Sequence, residues 1–176
     1  MNTTDISQRW ARLGIPRDYA RTRGLPLHRD VRRLVLIGPA ADDGQPVRLA
    51  PPAARAWKRM CAAAAADGVR LLALSGYRSV ARQTLLFRRK LSAGQTVPEI
   101  LRLMAAPGCS EHHTGRAIDI GSPAGTDLEE VFARTPEYRW LRRHAEGFGY
   151  QLSYPRKNPH GILFEPWHWC WHKPAK

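Results

Sequence analysis

No apolar run in this sequence is long enough to cross a membrane. The longest apolar cluster is the alanine stretch Ala62–Ala66, against the roughly 20 residues a span requires. Met1–Leu27 also lacks the apolar core of a secretory leader. The expectation is a cytoplasmic protein as the sequence is written, with the cell envelope as the alternative where a leader has been removed. Cysteine is scarce and odd in number: Cys61, Cys109 and Cys170. That excludes a disulfide framework, and Cys61 fits a small buried residue in a helix. Internal repeats are absent, which excludes a solenoid. The formal net charge is +13, yet no block of five like charges occurs. The field suits anionic partners, including multiply carboxylated peptides. No nucleic-acid motif accompanies it, so no specific nucleic-acid partner is expected.

What is present suffices for one globular core. Hydrophobic residues make up 43% and charged residues 24% of the 176. The sequence divides into an N-terminal extension, residues 1–30, and a domain over residues 31–176. Ile6, Trp10 and Leu13 share one side of a short helix over 5–13. Residues 14–30 suit an irregular connection. Val31–Ile37 is a strand candidate. Pro51 and Pro52 open a helix that runs to about Asp67 and stops at Gly68. Val69–Leu74 suits a buried strand. Ser79 caps a helix from Val80 to about Leu91, and Pro98 opens another through Met104. Ala117–Ile120 forms a short strand inside the Gly/His/Ser-rich stretch Pro107–Gly125. Asp127 and Thr135 cap two helices, the second ending near Gly147. Tyr150–Tyr154 is a strand, and Ile162–Trp171 is extended and aromatic. The mixture lacks βαβ alternation and predicts an α+β domain with a small antiparallel sheet.

Two segments concentrate metal-ligand side chains: Ser110–Asp119 and Glu165–His168. A catalytic zinc takes three protein ligands, with imidazole and carboxylate as suitable donors. His112, Asp119 and His168 complete such a set, Gly115 allowing the turn between the first two. Pro166 breaks strand pairing and can aim Glu165 and His168 into one cleft. Glu165 then stands where a general base is needed. Arg78, at a strand–helix junction, can grip a carboxylate or a developing oxyanion, and Gln83 follows one and a half turns later. Read singly, His112 is a surface-loop histidine, Asp119 a turn acceptor, Trp167 a core residue and Arg78 a solvated cation. His113 can replace His112. His168, Cys170 and His172 share a strand face and could form an inert zinc site.

These residues carry a family resemblance. Ser110, His112, Gly115, Ala117 and Asp119 match S-x-H-x-x-G-x-A-x-D. Glu165, Trp167 and His168 match E-x-W-H, and Ser75 through Gln83 match S-G-Y-R-S-x-x-x-Q. The sequence resembles the VanY-type D-alanyl-D-alanine carboxypeptidases, zinc peptidases grouped with the VanX-type dipeptidases and the hedgehog metal domain. The resemblance covers roughly Val69–Trp171. It implies a small central antiparallel sheet flanked by helices, one zinc ion held by His112, Asp119 and His168, and Glu165 and Arg78 as catalytic groups. It also implies Gln83, Ser110, Tyr77 and Trp167 at the substrate, with peptidoglycan stem peptides or muropeptides as partners. The implied reaction removes a terminal D-alanine at the L,D bond of a tetrapeptide or the D,D bond of a pentapeptide. Family members often place an arginine where Cys170 stands. The alternatives are a phage-type endolysin endopeptidase of the same zinc group and a non-catalytic zinc-stabilised binding module. Glu165 and Arg78 together argue against the latter.

Overall fold

The computed structural model describes residues 3–125 and 128–173. Helix α1 (Thr3–Leu13) has Asp5 in its first turn and Arg12 in its last, matching the helix dipole. Its Ile6, Trp10 and Leu13 are buried, each contributing roughly 1.5–3 kcal/mol relative to exposure. One helical turn, α2 (Tyr19–Thr22), interrupts the connection expected to be irregular.

Strands β1 (Val35–Pro39) and β2 (Pro46–Leu49) form an antiparallel hairpin. β1 begins later than the Val31–Ile37 pattern suggests. The Val31 N–H donates instead to the His113 carbonyl at 3.0 Å, which docks residues 31–34 on the site loop. β2 was not expected, because it offers only Val47 and Leu49 as buried positions and opens on a proline. Helix α3 (Pro51–Ala66) starts on Pro51 and stops at Gly68, which takes φ +73.

β3 (Leu72–Ser75) leads into α4 (Val80–Ser92), where Ser79 Oγ accepts from the Arg82 N–H. α5 (Val97–Leu103) follows, then a 3-10 turn at Glu111–Thr114 and β4 (Ala117–Gly121). A second 3-10 segment, Glu130–Arg134, precedes α6 (Pro136–His144), which Thr135 caps. The cap expected at Asp127 lies outside the described residues. β5 (Tyr150–Leu152) and β6 (His168–Trp171) complete an antiparallel sheet of order β3-β4-β6-β5. β5 ends two residues early, since the Tyr154 carbonyl takes the Glu165 N–H at 3.1 Å. The architecture is the α+β class, a small antiparallel sheet flanked by helices.

Two apolar clusters hold this together. One packs α3 and α6 on the sheet through Trp57, Met60, Ile118, Leu141, Tyr150 and Trp169. The other gathers α1, α4 and α5 through Trp10, Phe87, Ile100, Tyr154 and Ile162. Residues 6–25 add Ile6, Leu13, Ile15, Tyr19 and Leu25 to this second cluster.

Candidate metal centre and its cleft

A cleft of about 560 Å³ opens where the sheet meets α4 and the end of α5. His112, Asp119 and His168 lie at its floor, all buried, with ligand atoms within 4.8 Å of one another. Strand register accounts for two of them. Asp119 and His168 are direct partners across β4 and β6, so their side chains share one face. On the other side of Asp119, the partner is Ser75 of β3. The third candidate ligand, His112, arrives on the 3-10 turn. Gly115 closes that turn at φ +65, where a Cβ would meet the Ala50 nitrogen at 2.9 Å. Only glycine fits there without strain.

Each ring has one nitrogen committed elsewhere. His112 Nδ1 is 2.6 Å from the Gly76 carbonyl, which leaves Nε2 toward Asp119 Oδ2 at 3.3 Å. His168 Nε2 is 2.9 Å from Glu111 Oε2, and its Nδ1 is 3.1 Å from Asp119 Oδ1. Such outer contacts set the tautomer and aim of a ligating histidine. Between two carboxylates His168 is held as a cation: burial pushes its pKa down, but Asp119 and Glu111 raise it to about 10. Burial alone would raise Asp119, but His112 and His168 hold it well below the carboxylate range. Glu111, likewise opposed by burial, is lowered to about 2 by the bond from His168. An ion would take the place of the Nδ1 proton. Two imidazole nitrogens and one carboxylate oxygen fit zinc, and three protein ligands are the catalytic rather than the structural pattern.

His113 does not join this cluster. Its Nε2 accepts the Gly108 N–H at 3.0 Å and its Nδ1 donates to the Arg78 carbonyl at 2.6 Å, so both nitrogens are used by the backbone. Burial, the largest influence, lowers its pKa to about 4. The alternating His168, Cys170 and His172 do not converge either. His168 turns to His112 and Asp119, while Cys170 and His172 group with Glu111.

Glu165 Oε2 lies 3.9 Å from His168 Nδ1, at the mouth of the ligand set. Burial raises its carboxyl to about 7. Arg78 faces the same floor, with Nη2 3.7 Å from Asp119 Oδ2 and Nη1 donating to Gln83 Oε1 at 3.1 Å. Its backbone is tied to the histidine turn at both ends, since its N–H donates to the His112 carbonyl at 3.2 Å. Gln83 is buried and anchors this cation while its amide donates to the Ala105 carbonyl at 2.8 Å. Ser110 and Trp167 also line the cleft.

Tyr77, expected at the substrate, is not among the residues that line this cleft. Its N–H donates to the Arg48 carbonyl at 2.7 Å, which pins the chain to the hairpin, and its hydroxyl faces Asp30. Glu111 and Tyr154 are the residues that sequence reasoning missed. Tyr154 packs its ring 5.0 Å from that of His168. The signal for Glu111 was its acidity beside a ligand, because ligating histidines commonly need a carboxylate on the second nitrogen.

A buried His/Asp/His set with a free-standing carboxylate at its side, inside a cleft, is the arrangement of a zinc peptidase. The family model of the D-alanyl-D-alanine carboxypeptidase VanY matches residues 46–174. The Bacillus subtilis protein YodJ is 40% identical over 120 residues, covering 66% of this chain and 43% of YodJ. Among solved structures, the LdcB LD-carboxypeptidase superposes with TM-score 0.74 at 32% identity, covering 83% of this chain and 71% of that one. A variant of the vancomycin-resistance D,D-pentapeptidase VanY in complex with Zn(II) gives 0.62 at 27%, covering 84% and 82%. The chain belongs to the VanY family. It spans less than half the length of YodJ.

Proposed function

We propose that the protein is a zinc-dependent carboxypeptidase that removes the terminal D-alanine from peptidoglycan stem peptides. The observation that carries this is the buried His112, Asp119 and His168 set with Glu165 beside it at the floor of an open cleft. These three side chains would hold one zinc ion. Bound there, zinc lowers the pKa of a water to about 7 and polarises a carbonyl.

The residues of the chain do the rest. Glu165 accepts a proton from the attacking water at its carboxylate. The water oxygen bonds to the carbonyl carbon before the terminal residue. The Arg78 guanidinium donates to the carbonyl oxygen as charge gathers on it. As the C–N bond breaks, Glu165 returns its proton to the leaving amine. Gln83 keeps Arg78 aimed into the cleft, and Ser110 and Trp167 border the space for the terminal D-residue. The basic composition, +13, favours encounter with muropeptides that carry several carboxylates.

Within this reaction the L,D bond of a tetrapeptide stem is the first assignment, supported by the likeness to an LD-carboxypeptidase across 83% of the chain. The D,D bond of a pentapeptide is the second, supported by the family model. Mass spectrometry of muropeptides after incubation with the zinc-loaded protein tests both. Loss of one alanine from the tetrapeptide is the expected result. Loss from the pentapeptide alone selects the D,D reaction. Cleavage inside the stem selects an endopeptidase of the endolysin kind, and no cleavage of either overturns the carboxypeptidase.

A further inference from the structure

Glu111 stands between two clusters of metal-binding side chains. On one side it touches His168. On the other, its carboxylate, the Cys170 thiol and a His172 nitrogen have ligand atoms within 4.8 Å of one another. These donors come from two elements that the sheet holds in place. Cys170 is the β6 partner of Ala117, and His172 follows the end of the same strand. The His172 N–H donates to the Gly149 carbonyl at 2.8 Å, which fixes the direction of the chain as it leaves.

A thiolate, an imidazole and a carboxylate are a donor set for zinc and similar borderline-soft divalent ions. The Cys170 sulfur has a long contact, 3.9 Å, to the Trp171 carbonyl, and its thiol also bonds the Glu111 carboxylate, so two of the donors already meet. Glu111 uses Oε2 toward His168, and its carboxylate also faces Ser153 and the Cys170 thiol, so an ion would take the place of the thiol proton there. Entry is open as well. Glu111 and His172 line a separate cavity of about 210 Å³, apart from the substrate cleft. His28 lines it too, and its Nε2 is a buried nitrogen without a hydrogen-bond partner among the described residues. A buried polar atom left over in this way is a mark of a missing ion or water.

We infer that Glu111, Cys170 and His172 form a second metal site, for a borderline-soft divalent ion such as zinc, on the far side of His168 from the cleft. The ion would face this separate cavity and not the substrate cleft, beside a fully buried Cys170, so its role is structural. Binding displaces the thiol proton. The site goes beyond the carboxypeptidase reading and does not depend on it, since the His112, Asp119 and His168 set contains no sulfur.

Cobalt(II) titration of the metal-free protein separates the two sites. A thiolate ligand gives a strong near-ultraviolet charge-transfer band that a His/Asp/His site cannot give. The expected result is a second bound equivalent accompanied by that band, with Cys170→Ser losing both and keeping the first equivalent. His172→Ala, at a half-exposed position, is the second variant and should also lose the second equivalent. Cys109→Ser should keep the band, although Cys109 lines the same cavity. One equivalent with no near-ultraviolet band in the wild type overturns the inference, and so does a band that survives in both Cys170→Ser and His172→Ala.

Discussion

On the sheet wall of the cleft, the two central strands set Asp119 opposite His168, and hydrogen-bonded register fixes their distance. On the helical wall, Arg78 and Gln83 leave the β3–α4 junction and the first turns of α4, and they reach the floor through side-chain contacts of 3.1 and 3.7 Å. The sheet wall presents metal donors with their outer nitrogens already tied. The helical wall presents a cation held by an amide. On the proposed function, holding the ion would fall to the sheet and its histidine turn, and gripping the peptide to the helix. The walls meet at backbone bonds: the Arg78 N–H and carbonyl both bind the His112–His113 segment.

Substitutions can break this division at graded strengths. Glu165→Gln should lower turnover on the order of 10²–10⁴-fold, the share of a general base, with zinc content unchanged by elemental analysis. Arg78→Ala should cost about 10²–10³-fold in kcat/KM, as for removal of one oxyanion donor, again with zinc retained. Glu111→Gln frees His168 Nε2 from its carboxylate and should weaken zinc at the cleft floor by roughly 10–100-fold in a competition titration. Gly115→Ala is the mildest. Its left-handed φ and the 2.9 Å approach to the Ala50 nitrogen should cost about 1–3 kcal/mol in urea unfolding, with activity per folded molecule little changed.

The clustering of His112, Asp119 and His168 was legible in the sequence because the residues are local in two short motifs and chemically distinctive. The sequence also carried helix ends where proline, serine and glycine mark them, as at Pro51, Ser79 and Gly68. The choice between His112 and His113 was open there. The two are adjacent and both buried, and their jobs are assigned by Gly76, Gly108 and Arg78, partners that only tertiary folding brings near. The placement of Tyr77 was hidden for the same reason: it belongs to a matched motif, but its N–H bonds the Arg48 carbonyl and its hydroxyl faces Asp30. β2 was invisible because four residues with two inward positions carry no period. Glu111 was passed over because its partner, His168, lies 57 residues away.

The division between walls is tested most directly by zinc titration and binding of a non-hydrolysed stem-peptide analogue, measured on Asp119→Asn and Arg78→Ala side by side. Asp119→Asn should lose the tight cleft-floor ion, whereas Arg78→Ala should keep it and bind the peptide far more weakly. If Asp119→Asn holds zinc like the wild type, or if Arg78→Ala loses the ion and keeps peptide affinity, the two walls do not divide the work in this way.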